Sequence, residues 1–297
     1  MYDLIIIGMG ISGISAAIYA KNSNLNVLIL EEKTPGGLLN RINEINNYPG
    51  LKKITGSELS YQLFESIEAL KIPYKIDKVL KIILDNEIKI VKTEKEEYKT
   101  KNIIIATGRK NRTLNLEKEQ ELLGHGISTC ALCDGNLYKE KTIAVVGGGN
   151  TALEETLYLS NLASKIYLIH RRDTFRAEQT LIEKIKQKAN IEILYNSEVT
   201  KLIEEQNRLN KIEINHEKEL SVSALFIFIG FVPNNDFLSS LDILNEEGYI
   251  LVNNNYETKI KGIYAVGDCI KKEYYQLITA SNDGVVASIN IIKNNKN

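Results

Sequence analysis

One pattern occurs twice in this chain, and it restricts the fold more than any other feature. Leu4-Ile5-Ile6-Ile7 runs directly into Gly8-Met9-Gly10-Ile11-Ser12-Gly13, and then into a small, apolar stretch from Ile14 to Ala20. A continuous apolar run is what a parallel strand buried on both faces requires. Asn26 to Leu30 reads as a second strand, with Glu31 at its end, 23 residues after Gly8. In such a turn the first glycine permits tight chain reversal and the second lets a pyrophosphate approach the backbone. The third lets the helix pack on the strand, and the helix N-terminus attracts phosphate. An acid at the end of the second strand takes ribose hydroxyls. Gly8, Gly10, Gly13 and Glu31 are therefore expected to hold a dinucleotide. A glycine turn also occurs in parallel α/β folds that bind nothing. The complete strand, turn, helix, strand and acid make the reading specific.

The second copy begins with the strand Thr142 to Val146. Gly147-Gly148-Gly149-Asn150-Thr151-Ala152 forms its turn, Leu153 to Leu162 its helix, and Lys165 to Ile169 its second strand. Gly147 lies 139 residues after Gly8, so the repeat is of fold logic and not of a short solenoid period. The two copies differ at the informative place. The second ends in His170-Arg171-Arg172, with Arg176 beyond, where the first ends in Glu31. An acid suits a free ribose hydroxyl, whereas arginines hold a 2′-phosphate with forked, charge-assisted hydrogen bonds. The first site is expected to take an unphosphorylated adenosine ribose and the second NADP(H). Gly147, Gly149, Asn150, Thr151, His170, Arg171, Arg172 and Arg176 are its candidate residues. A basic surface patch is the plain alternative.

Between the two copies stands Cys130-Ala131-Leu132-Cys133-Asp134-Gly135. Two cysteines at this spacing can close a small disulfide ring, and thiolate reactivity is set by pKa and access. The pair could be half of a zinc site, but zinc wants four ligands. The chain has three cysteines and three histidines in all, with no second pair at metal spacing. Cys130 and Cys133 therefore read as a redox dithiol. Asp134 is the carboxylate that sequence fixes beside the sulfurs, and it is the candidate general acid/base. A turn or helix-capping role is the plain alternative for it.

The 297 residues are enough for roughly two domains. A net charge of −1 provides no field for nucleic acid or an anionic membrane. The longest apolar run, Ala224 to Val232, is too short to span a bilayer. The N-terminus has no basic segment, long apolar run or cleavage signal. Few cysteines argue against a disulfide-stapled secreted scaffold. A cytoplasmic protein is expected.

Residues 56–71 read as a helix with Leu59, Leu63, Ile67 and Leu70 on one face. Residues 78–101 and 191–229 read as two β meanders. Asn102 to Gly108 reads as a separate buried strand ending in small residues, and Thr107 and Gly108 would let a cofactor approach the backbone. Residues 109–126 are polar and carry a charge run, a candidate linker. Residues 173–189 read as a helix. Gly262 to Asp268 reads as a strand ending in Gly-Asp, and residues 274–292 as a helix broken near Asn282-Asp283-Gly284.

With a cysteine pair between two such sites, the sequence resembles the low-molecular-weight thioredoxin reductases over essentially its whole length. The most specific pieces are Cys130 to Gly135, Gly147 to Ala152, and His170-Arg171-Arg172-Asp173-Thr174-Phe175-Arg176-Ala177. The resemblance implies an α/β fold of two Rossmann-like domains of the three-layer β/β/α type. It implies a discontinuous FAD domain at 1–111 and 241–297, and an inserted NADPH domain at 112–240 carrying the cysteines. It places Asp268 on the flavin side, Asn47 in an Asn-aromatic-Pro-Gly flavin loop, and Gln276 in a segment running past the isoalloxazine. Gly37 belongs to a flavin-side loop. NADPH would reduce the flavin, the flavin the Cys130–Cys133 disulfide, and the dithiol a thioredoxin or similar disulfide protein. A homodimer is implied. Leu38 stands where the family usually has Gln, Tyr275 where Arg commonly precedes Gln276, and Cys269 where Val is common. Relatives with other electron donors tend to lack the arginine cluster.

Overall fold

The parallel strands explain the architecture. In the computed structural model, which describes residues 1–42 and 44–295, β1 (Tyr2–Ile7) pairs in parallel with β2 (Val27–Glu31). Helix α1 (Ile11–Asn22) connects them, and α2 (Gly56–Ala69) leads to β3 (Tyr74–Ile76), which extends the sheet beyond β2. The start of α2 is a reciprocal capping box between Thr55 and Glu58, which satisfies two orphan backbone donors. An antiparallel meander follows, formed by β4 (Val79–Asp85), β5 (Ile88–Thr93) and β6 (Glu97–Ile105).

The expected break between meander and buried strand does not exist, because β6 serves both. Its first half, Glu97 to Thr100, pairs with β5. Ile103 to Ile105 pair with β17 (Ile263–Ala265), and the strand pairs with β1 from Thr100 to Ile105. The burial pattern changes accordingly, alternating in the meander half and continuous at Ile103-Ile104-Ile105. Alternation of side chains along β1 divides the core into two layers. Ile5 and Ile7 face the meander side, with Val79, Ile82 and Val91. Leu4 and Ile6 face the helices, with Ile14, Ala17 and Ile67.

The chain separates into two compact units, Met1–Lys110 with Val232–Asn297, and Asn111–Phe231. The crossings run through two short strands, β7 (Arg109–Asn111) and, near the return, β16 (Phe231–Pro233). Residues 232–240, expected with the inserted part, pack with the first unit. Asn235 is 2% exposed and bonds Gly248 and Cys269 backbone carbonyls, and Leu238 is fully buried.

The second unit repeats the plan. Its elements are β8 (Ile127–Ser128), the short helix α3 (Ala131–Asp134), β9 (Thr142–Gly147), α4 (Asn150–Ser160) and β10 (Lys165–Ile169). Then come α5 (Gln179–Lys186), β11 (Ile191–Leu194), the meander β12 (Val199–Glu205), β13 (Arg208–Ile214) and β14 (Lys218–Ser221), and β15 (Ala224–Phe228). The parallel sheet runs in the order β11, β10, β9, β15, β8. Helix α5 starts later than the pattern suggests. Residues 171–178 instead wrap back onto the glycine turn, with the Arg176 amide donating to the Gly148 carbonyl at 2.8 Å.

The last helix, α6 (Leu277–Asn294), is continuous through Asn282-Asp283-Gly284. Gly284 does not break it, because it marks the crossing with α1. A Cβ added there would lie 2.1 Å from the Ser12 carbonyl oxygen. Gly284→Ala forces the two helices apart and is expected to destabilise the protein by about 1–3 kcal/mol. Urea unfolding checks this, and an unchanged midpoint would show that the crossing tolerates a methyl group.

Candidate functional site

In the first unit, four strand ends carry the expected residues on one edge of the parallel sheet. Gly8 follows β1, Glu31 ends β2, Thr107-Gly108 follow β6, and Gly267-Asp268 follow β17. Ligands of open α/β sheets bind outside these carboxyl ends. The glycines divide by role. A Cβ on Gly8 (φ +107°) would sit 2.4 Å from the Ala106 carbonyl oxygen, and one on Gly13 only 2.1 Å from that of Gly8. These two allow close packing of turn, strand and helix. Gly10, at the α1 N-cap, would place a Cβ in open space, as would Gly37 and Gly108. An open cradle therefore lies at the start of α1.

Glu31 is oriented toward this turn. Its carboxylate accepts from the Met9 amide at 2.7 Å and from the Lys33 amide at 3.0 Å. Thr107 donates to the Asn235 side chain at 3.0 Å. The Asn47 amide reaches the Gln276 side chain at 3.4 Å, so two residues 229 apart in sequence meet. Asp268 pairs with Arg109 at 3.0 Å, and the Arg109 guanidinium stacks on the Tyr275 ring at 4.0 Å. Burial pushes the Tyr275 hydroxyl up to about 12.

Three supporting residues escaped sequence reasoning because their partners are distant. Asn235 ties the Thr107 strand end to the Cys269 turn. Asp283, 3% exposed, accepts from the Gly267 amide, the Tyr256 hydroxyl and the Lys272 ammonium, at 3.1, 2.7 and 2.7 Å. It fixes the turn that presents Asp268. Arg109 is the third. Cys269 packs as a small apolar group, with its thiol directed at the Val266 and Ile105 carbonyls.

The second unit builds a similar cradle. A Cβ on Gly147 would lie 2.4 Å from the Ala152 Cβ and 2.6 Å from the Phe228 oxygen, whereas Gly149, the α4 N-cap, faces open space. Asn150 exchanges two hydrogen bonds with Glu178, and Thr151 is exposed on the first turn of α4. Arg171, Arg172 and Arg176 are all exposed. His170 differs from them, being 6% exposed. Its ring bonds the Thr174 carbonyl at 3.0 Å and stacks on Phe175. Its ring lies 2.2 Å from where a Gly148 Cβ would be. Burial holds its pKa below the ordinary value, and the Arg176 and Arg172 charges act in the same direction. His170 thus packs under the glycine turn, where burial disfavours its charged form.

Cys130 and Cys133 form a disulfide with Cα atoms 5.4 Å apart. Cys130 is the N-cap of α3, and its sulfur accepts the Cys133 amide at 3.2 Å. Cys130 is buried and Cys133 exposed. The Asp134 carboxylate accepts from the Ser128 hydroxyl at 2.7 Å. Gly135 follows because α3 packs on α4, where a Cβ would crowd Leu159 and Leu162 at 3.1 Å. Helix α4 also carries Glu155, whose carboxyl burial, with Glu154 alongside, pushes up to about 7.

Residues 2–284 match the family described as pyridine nucleotide-disulphide oxidoreductase. A thioredoxin reductase of Mycoplasma genitalium is 41% identical, over 98% of this chain and 94% of its own. One of Bacillus subtilis is 38% identical, over 97% and 93%. The crystal structure of Lactococcus lactis thioredoxin reductase superposes with a TM-score of 0.88 at 35% identity, covering 99% of this chain and 98% of that one.

Two outcomes follow from the buried groups. Desolvation pushes the Cys269 thiol up to about 11. Iodoacetamide at neutral pH should therefore label the reduced pair and reach Cys269 only after denaturation. Labelling of Cys269 in the native protein would contradict its packing. Glu155 keeps its proton in the folded state between its ordinary 4.5 and about 7, where the unfolded chain has released it. Stability therefore falls across that window as pH rises. Glu155→Gln should match the parent in urea unfolding below the window and be more stable above it. An equal gain at both ends would assign the effect to something other than ionisation.

Proposed function

The chain belongs to the pyridine nucleotide-disulphide oxidoreductase family, among its thioredoxin reductases, and from that premise we propose that it is an NADPH-dependent thioredoxin-disulfide reductase working through FAD and the Cys130–Cys133 pair. The observation that carries the reading is the disulfide itself, closed in a chain that also holds two glycine cradles with opposite charge at their second strand ends.

FAD fits the first unit. The open space at Gly10 admits a pyrophosphate to the start of α1, and Glu31 stands at the strand end for the adenosine ribose hydroxyls. Gly8 and Gly13 keep the turn tight around it. Asp268 offers a carboxylate oxygen for the polyol side of the flavin. Asn47 and Gln276, which meet each other, would offer amides to the flavin, and Gly37, Thr107 and Gly108 would let it approach the backbone. NADPH fits the second unit, with its pyrophosphate at Gly147 and Gly149, beside Asn150 and Thr151. The exposed Arg171, Arg172 and Arg176 take the 2′-phosphate, and His170 supports the turn from beneath. The first unit is thus the FAD domain, and the second the NADPH domain that carries the cysteines. The bound cofactors supply hydride transfer and two-electron reduction of a disulfide.

The reduced pair then acts on a partner. One thiolate attacks a sulfur of the partner disulfide, that S–S bond breaks, and a mixed disulfide forms. The second cysteine displaces the remaining partner sulfur and the Cys130–Cys133 bond closes again. Two electrons pass to the partner, and its two sulfurs leave as thiols. Asp134 takes a proton from an attacking thiol and returns it to a leaving sulfur. The Cys133 amide supports negative charge on the Cys130 sulfur.

Thioredoxin, or a similar disulfide protein, is the partner in this reading. The active form is a homodimer, a state that exposed apolar Tyr19, Ile278 and Ile289 on α1 and α6 support. The compartment is the cytoplasm, which keeps thiols reduced. No helix among the described residues is long and apolar enough to cross a membrane.

The test is anaerobic stopped-flow absorbance of the holoprotein. NADPH should bleach the flavin much faster than NADH does. Replacing Arg171, Arg172 or Arg176 by Ala should raise the KM for NADPH by roughly tenfold each, with little effect on NADH. Thioredoxin should reoxidise the reduced enzyme, and Cys133→Ser should abolish that step. If NADPH leaves the flavin oxidised, another electron donor must be sought and the reading of the arginines fails.

A further inference from the structure

One buried hydroxyl beside the redox pair has no part in the mechanism above. Ser128 closes β8 and is 4% exposed. Its strand pairs in parallel with β15, so Ser128 is fixed by the sheet and not by the cysteine turn. Its Oγ lies 2.7 Å from Asp134 Oδ2, 3.2 Å from the Cys130 carbonyl oxygen, and 3.1 Å from the Cys130 amide nitrogen.

A hydroxyl has one hydrogen and two lone pairs. The Cys130 amide donates to it, which leaves a single hydrogen for two acceptors. An ionised Asp134 wins that hydrogen, because a bond to a carboxylate is charge-assisted and this one is the shorter. Once Asp134 carries a proton, it can donate to the Ser128 oxygen, and the Ser128 hydrogen turns to the Cys130 carbonyl. The Ser128 hydroxyl is paired in each state, and no heavy atom has to move between them.

We propose that Ser128 is a positioning residue for Asp134, holding the carboxyl group in one place through both of its protonation states by turning one hydrogen between Asp134 and the Cys130 carbonyl. The proposal rests on the reading of Asp134 as the acid/base. The proton leaves a cysteine thiol for Asp134 as the new sulfur–sulfur bond forms. It passes to the leaving sulfur as the partner's bond breaks, so Asp134 ends as it began. Other titratable and charged groups stand nearby. Tyr138 follows on the same turn with Arg208 beside it. Helix α4, packed against α3, carries Glu154, Glu155 and Tyr158. They contribute a common background that the variants below leave in place.

The experiment measures the single-turnover rate at which thioredoxin reoxidises the reduced holoenzyme, from acid to alkaline pH. The proteins are the parent, Ser128→Ala, Ser128→Gly, Ser128→Thr, Asp134→Asn and Ser128→Ala with Asp134→Asn. A carboxylate that loses a donor keeps its proton to higher pH. Ser128→Ala should slow the step about tenfold and move the midpoint of its pH profile upward. Ser128→Gly provides a second deletion if the alanine variant does not fold, and should act in the same direction. Ser128→Thr keeps the hydroxyl and should restore the midpoint. With Asp134→Asn already present, Ser128→Ala should leave the profile unmoved. A slower step with an unmoved midpoint in both deletions would make Ser128 a structural residue and overturn the proposal. A normal profile in Asp134→Asn alone would remove the acid/base reading, and this proposal with it.

Discussion

A carbonyl oxygen facing a missing methyl group determines the geometry of both glycine cradles. Gly13 lies so close to the Gly8 carbonyl that any side chain would collide with it, and Gly8 is pressed equally against Ala106. This contact draws the first turn of α1 down onto the sheet. The start of α1, which carries partial positive charge, is then left bordering open space at Gly10. The second unit reaches the same result with Gly147 against Ala152 and Phe228, and with Gly149 open. Everything chemically specific is added at the ends of neighbouring strands. The sheet leaves the open space, and the residues at the end of the second strand set the charge beside it.

Those local devices were legible because each is written within a few residues. The apolar run, the glycine spacing, the acid or the arginines, and the cysteine pair are all contiguous. What was not legible depends on contacts between distant segments. Asp283 looked like part of a helix break, yet it holds the Gly267 amide inside a continuous helix. The Gly beside it signalled a break in the helix, when its real partner is the Ser12 backbone across a helix crossing. Strand β6 looked like two elements, because its pattern changes from alternating to continuous where its neighbour changes. His170 shares a motif with three arginines, but its aromatic neighbours and a carbonyl draw it inward while they remain in water. A period or a motif identifies the element. Only the packing reports which partner the element meets.

Charge is handled differently in buried and open parts of the molecule. Asp283 is buried with three donors around it, an arrangement that keeps a carboxylate tolerable away from water. Asp268, by contrast, has an arginine on one oxygen and lies partly open. Glu155 is the exception, a carboxyl group that burial pushes toward neutrality. The fixed charges support turns, and the open ones are available to a ligand.

The partner exchange along β6 also has a consequence for how the chain is made. Its inner half, Ile103 to Ile105, is completed on one side by β17, whose residues lie about 160 positions later in the sequence. Until Ile263 to Ala265 have been synthesised, the emerging first unit exposes an apolar strand edge. Such edges template pairing with other chains. The second unit lies wholly within Asn111–Phe231 and needs nothing from the C-terminus to close its sheet. Order of synthesis therefore favours a folded insert beside an unfinished host. The segment that begins at Ile263 acts as the clasp, and a ribosome that stalls before it leaves a chain with a sticky edge.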